Sequence, residues 1–182
     1  SDGSVLEEIG PNHFRMILGT APNQPTWTNK PQFIIRENAA GNSLELDVEA
    51  PIKKGGHYPM TEYFYSWSYD NEKWKPIHLE TDNPVSNKFL FPVFEKDTVF
   101  FGHQVPLSYK KLIDIIEEFN ESPFVSKIKL GESLNNRPIY RLEITDSNSS
   151  LNREDKEGHY FINVHPGEHN SQWRMIGMIE WL

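Results

Sequence analysis

The feature that most constrains this chain is a change of hydrophobic period at Pro106. Before it, apolar residues recur at every second position in short runs. After it comes the first helical period of useful length. Ser43–Glu49 shows the first kind best: Leu44, Leu46 and Val48 share one side, while Glu45, Asp47 and Glu49 share the other. Successive strand side chains point to opposite faces of a sheet, so this run predicts a half-buried strand. Tyr63, Tyr65, Trp67 and Tyr69 repeat the period, with DNEKW as the hairpin turn after them. His13–Leu18, Gln32–Arg36, Phe89–Phe94 and Thr98–His103 complete the series, and Pro22, Pro25 and Pro31 mark one loop. Short strands at this spacing predict an antiparallel β-sandwich over residues 1–105.

Residues 106–182 read differently. Ser108 is placed to cap a helix over Tyr109–Asn120, with Leu112, Ile113, Ile115, Ile116 and Phe119 on its apolar face and Lys110, Lys111, Glu117 and Glu118 mostly opposite. Pro123 closes it. Strands are expected near Val125–Leu130 and Ile139–Thr145, joined by a turn at LNN. A polar loop, DSNSSLNREDKEG, precedes the apolar strand Tyr160–Val164 and a helix from about Glu168. This half is α/β, so the fold class is α+β. The chain stops at IEWL inside an amphipathic helix without a capping residue. Two or three strands and two helices do not close a sheet covered on both faces. The expectation is the N-terminal part of a longer protein, with residues 106–182 an incomplete domain.

Composition bounds the chemistry. Aromatics make up 13% of 182 residues, enough for a packed core. There is no cysteine, so any metal must be held by His and carboxylate. A net charge of -8 without a basic stripe speaks against a nucleic-acid partner. No apolar run reaches the ~18 residues of a membrane helix, so no membrane partner is expected. The opening SDGSVLEEIG carries neither an initiator Met nor an apolar signal segment and reads as a trimmed terminus.

The candidate chemistry lies in VHPGEHNSQW, residues 164–173. HPGEH fits H-x-x-E-H, in which two His at i and i+4 share one helical face. Pro166 opposes that geometry by holding His165 extended, and Gly167 weakens a helix further. The alternative is a strand-to-helix corner, in which His165 ends a strand and Glu168 enters the first helical turn. Ligands of open α/β sheets sit at such places. His169, four residues beyond a strand end, should diverge from the metal and lie at the surface or a pocket rim. His103 and His159 have no partner pattern and read as structural or solvated. A plain helix corner with a surface His satisfies HxxE alone equally well.

The longer run YFINVHPGEHNSQWRMIGMIEWL resembles the first zinc-ligand motif of the zinc carboxypeptidase family, and HPGE followed by Asn-Ser and an aromatic resembles its cytosolic carboxypeptidase branch. LSYKKLIDIIEEF, KLGESLNNRPIYRLEITD and FFGHQVPLSYKKL resemble, in order, a helix, a strand start and the junction between the branch's β-sandwich and catalytic domains. The resemblance implies His165 and Glu168 as two ligands of Zn2+, and a structural role for Arg137. Gly167 stands where digestive carboxypeptidases carry Arg, as is usual in this branch. The third zinc ligand, the residues that bind the substrate's terminal carboxylate and the general-base Glu have no match before Leu182. No catalytic residue is therefore expected within this chain.

The implied activity is metallocarboxypeptidase hydrolysis at the C-terminus of a peptide or protein, by the longer protein and not by this chain alone. The resemblance implies a cytoplasmic location; a removed signal peptide would mean a periplasmic or secreted one. The alternative is a non-enzymatic module whose sandwich binds glycan or peptide through exposed Tyr and Trp. A core position for Tyr65, Trp67 and Tyr69 would remove that reading.

Overall fold

The computed structural model describes residues 3–21, 24–50, 63–81, 83, 85–156, 158 and 169–182. It is mostly β and falls into two compact units, Ser1–Pro106 and Leu107–Leu182.

Among the described residues the first unit holds ten strands: β1 (Val5–Gly10), β2 (His13–Ile17), β3 (Thr20–Ala21), β4 (Gln24–Thr28), β5 (Gln32–Ile35), β6 (Leu44–Glu49), β7 (Tyr65–Ser68), β8 (Trp74–Ile77), β9 (Ser86–Phe91) and β10 (Val99–His103). One four-stranded sheet runs β1-β2-β6-β9 and another β5-β10-β7-β8, with β3 and β4 in a small separate ribbon. The period-two runs explain how they face each other. Leu46 and Val48 of β6 and Phe89 and Phe91 of β9 are buried in one cluster with Tyr65 and Trp67 of β7 and Val99 and Phe101 of β10. Aromatic rings interlock across the gap: Phe89 meets Tyr65 edge-on at 4.9 Å and Phe101 at 5.0 Å. Such pairs add about 0.5–1.5 kcal/mol each beyond area burial.

Three expectations change. The sandwich is not wholly antiparallel, because β2 and β6 run parallel, with His13 opposite Glu45 and Arg15 opposite Asp47. Between them the chain crosses to the second sheet through β5 and returns, the kind of long connection that parallel neighbours require. The triple-proline loop contains a strand, β4; it pairs on one side only, so Pro25 removes no ladder donor that is needed. The third change is in β7, which is buried on both faces, Ser66 and Ser68 included.

The chain after β10 explains that burial. Gly102 lies opposite Ser66, and Pro106 packs where a Gly102 side chain would stand. The Ser66 hydroxyl donates to the Gln104 carbonyl, and the Gln104 amide donates to Phe64 at 2.9 Å. Gln104 is held at φ 58°, the one left-handed residue among the described non-glycines that is not an asparagine. The tolerant asparagines occupy turns, Asn12 between β1 and β2 and Asn71 between β7 and β8.

In the second unit α1 spans Tyr109–Phe119, and its Ser108 hydroxyl accepts from the Lys111 amide at 3.1 Å, the expected cap. Ile115 is buried on the expected face. The hairpin β11 (Val125–Glu132) and β12 (Pro138–Ile144) follows, paired antiparallel with a bulge between Lys129 and Gly131. Helix α2 spans His169–Trp181. The expected strand at 160–164 lies outside the described residues. Among the described residues no helix is long and apolar enough to cross a membrane.

Candidate functional site

His165 and Glu168, the expected zinc ligands, lie outside the described residues, as do His159 and Gly167. What is described is the framework before and after them. Helix α2, expected from about Glu168, spans His169–Trp181, and the corner before it lies outside the described residues. On the other side stands the β11–β12 hairpin, closed by a tight turn. The Asn136 amide donates to the Ser133 carbonyl and the Ser133 amide to the Arg137 carbonyl, both at 2.9 Å, with Asn136 at φ 56°. Arg137 lies over the Tyr109 ring, 5.4 Å from its centroid, and the Tyr109 hydroxyl donates to the Pro138 carbonyl at 3.0 Å. Arg137 thus ties the hairpin to the start of α1, which is a structural task. Lys127 braces the other end: its amide donates to Asn120 Oδ1 at 2.9 Å and its ammonium to Glu117 at 2.6 Å.

His103 is 4% exposed, its ring 4.5 Å from that of Tyr63. It is a core residue. Tyr65 and Trp67 are buried and Tyr69 is packed against the same core, so the aromatic run is no open sugar platform.

The sandwich holds a charged constellation that sequence reasoning missed. On the outer face of the first sheet, His13 Nε2 lies 2.6 Å from Asp47 Oδ2 and 3.3 Å from Glu45 Oε1. The Lys88 ammonium donates to Glu45 and lies 3.7 Å from Asp47. Arg15 pairs with Glu49 through two hydrogen bonds, at 3.0 and 2.9 Å. The bond to Glu49 raises the Arg15 pKa, and the bond to Glu45 that of Lys88. Glu45, Asp47 and Glu49 were legible as the polar side of a strand. That His13 faces them was not, because it depends on the parallel register of two strands far apart in sequence.

No family model matches the chain. Among curated proteins it is 33% identical over 99 residues to cytosolic carboxypeptidase 3 of Bos taurus, covering 52% of this chain and 10% of that protein. It is 34% identical over 98 residues to cytosolic carboxypeptidase 2 of Danio rerio, covering 50% of this chain and 14% of that protein. The chain therefore spans about a tenth of the length of the curated relatives it matches. Among solved structures it matches a chain assigned as carboxypeptidase A from Shewanella denitrificans with a TM-score of 0.72 at 18% identity, over 97% of this chain and 45% of that one. A metallo-carboxypeptidase from Burkholderia cenocepacia gives 0.71 at 16% identity, over 97% and 46%. The chain is thus distantly similar to cytosolic carboxypeptidases over half its length, and its fold is that of the N-terminal part of bacterial metallocarboxypeptidases.

Proposed function

We propose that this chain is the N-terminal part of a zinc metallocarboxypeptidase, with residues 1–105 a β-sandwich domain and residues 106–182 the beginning of the catalytic domain. The observation that carries the reading is the combination of that fold with the HPGE motif directly before α2. His165 and Glu168 supply two of the metal's ligands. An imidazole and a carboxylate suit zinc, which binds nitrogen and oxygen donors and keeps an open position in hydrolytic sites. Zinc held there supplies Lewis acidity and a water of lowered pKa. This chain's own part is to supply the two ligands, His165 and Glu168, from the sequence directly before α2. The third ligand, the general base and the residues that hold a peptide's terminal carboxylate belong to the rest of the longer protein.

The longer protein removes residues from peptide or protein C-termini, and this chain alone does not. The test compares the two on a series of C-terminally blocked and free peptides. Release of C-terminal residues by the longer protein, from free termini only, supports the reading. His165→Ala and Glu168→Ala should each lower kcat/KM at least a thousandfold, about 4 kcal/mol of transition-state stabilisation. Full activity in both variants would overturn the assignment.

A further inference from the structure

We propose that the outer face of the sandwich carries a second zinc site, formed by His13, Glu45 and Asp47. It involves no residue of the HPGE motif and goes beyond the reading above. Its three donor atoms, one imidazole nitrogen and two carboxylate oxygens, all lie within 4.8 Å of one another. Adjacent donors of a tetrahedral zinc are separated by about 3.3 Å, given bond lengths near 2.0–2.1 Å. His13 Nε2 and Glu45 Oε1 already stand at 3.3 Å. Asp47 Oδ2, now hydrogen-bonded to His13 at 2.6 Å, needs to open by less than the width of one rotamer change.

The backbone holds this arrangement without further cost. Glu45 and Asp47 are two apart on β6, an inner strand paired on both sides, and His13 stands directly opposite Glu45 on β2. All three side chains are about one-third exposed, open enough for an ion to enter and sheltered enough to weaken competition from water.

Charge points the same way. Glu7 stands opposite Arg15, and Lys88 opposite Asp47, on one continuous face. Among the described residues, four carboxylates there (Glu7, Glu45, Asp47 and Glu49) meet two permanent cations, Arg15 and Lys88. The deficit equals one divalent ion. Lys88, already one of those two cations, pairs with Glu45 and Asp47 and competes with an ion for them, on a flexible stem that can swing to solvent. An imidazole in the set favours zinc over magnesium or calcium, which prefer all-oxygen cages.

The test uses this chain with His165→Ala and Glu168→Ala, so that the motif cannot contribute. Calorimetric zinc titration should show one site in the micromolar range, and cobalt in its place should give visible bands of a tetrahedral ion. His13→Ala and Asp47→Asn should each abolish the site, and Lys88→Met should tighten it at least tenfold by removing the competing ammonium. Circular dichroism checks that each variant is folded; Asp47→Asn, which keeps shape and hydrogen bonding, decides if His13→Ala is not. No zinc binding at millimolar concentration in the motif-free chain would overturn the proposal. So would binding that Asp47→Asn leaves unchanged, or a preference for magnesium or calcium. Full catalysis by the longer protein carrying His165→Ala and Glu168→Ala, with this titration intact, would count against the HPGE assignment alone.

Discussion

The two units have similar sequence ingredients and very different cores. In the sandwich, Phe89, Val48 and Val99 are fully buried and aromatic rings bridge the sheets. In the second unit, Ile115 and Ile176 are the buried apolar residues among those described, while Phe124, Leu130, Ile139 and Ile144 of the hairpin region remain exposed. In the first unit two four-stranded sheets cover each other, whereas the described residues of the second unit form a two-stranded hairpin and two helices.

The most direct way to break the comparison is to empty each core. Phe101→Ala removes a ring packed on Phe89, Phe91, Phe33 and Tyr65 and should cost about 3–5 kcal/mol. Ile115→Ala should cost about 2 kcal/mol, the low end for a buried aliphatic, because Ile115 keeps 9% of its surface exposed. Urea denaturation followed by tryptophan fluorescence measures both. Equal losses would mean that the second unit is packed as tightly as the first.

A second, smaller effect concerns the end of the sandwich. A methyl group on Gly102 would stand 2.5 Å from Pro106 Cγ, so Gly102→Ala must push the chain off the sheet or distort β10. A loss of about 1–3 kcal/mol is expected. Gly102 and Pro106 both belong to the first unit, so the loss should fall on the sandwich transition; an unchanged sandwich transition would mean that the close approach relaxes without strain.

In the second unit the comparable device is polar. Tyr109→Phe deletes the hydrogen bond to the Pro138 carbonyl and keeps the ring under Arg137. About 1 kcal/mol should be lost. Hydrogen exchange of the β11–β12 amides should quicken, while that of β6 and β9 stays unchanged.

How much of this was legible follows the same division. Period-two runs located β2, β5, β6, β7, β9 and β10, and the alternation at Leu44–Glu49 maps directly onto the core. β1 escaped notice because all but its last residue are exposed, so no apolar face marks it. β8 carries Pro76 at an edge, a residue that argues against strand. In α1 the helical period and the Ser108 cap agreed, and both are present. The reading of the HPGE motif rests on backbone rules at Pro166 and Gly167 that act between neighbours, and its residues lie outside those described. The His13 cluster could not be read in that way, because a parallel register joins residues that local rules never compare.

The smallest effect tests the sandwich's own turn. Asp70 closes the β7–β8 hairpin by accepting from the Lys73 amide at 2.7 Å and the Glu72 amide at 2.9 Å. Those amides, in that order, hold its carboxyl near a pKa of about 2, below the ordinary 3.8; Ser68 assists. A carboxyl whose folded pKa is depressed binds fewer protons when folded than unfolded, so stability falls as pH falls through the interval. The contribution is complete above pH 3.8 and is lost as the pH approaches 2. Because Asp70 lies in solvent, screening keeps the effect small. Asp70→Asn preserves an acceptor but no charge. The stability difference between the two proteins should therefore be constant near neutrality and shrink across that acid window. A difference that persists unchanged to pH 2 would mean that Asp70 acts through shape and not through its charge. The second unit, whose hairpin turn at Ser133–Arg137 closes on backbone carbonyls and a serine hydroxyl, should show no such dependence.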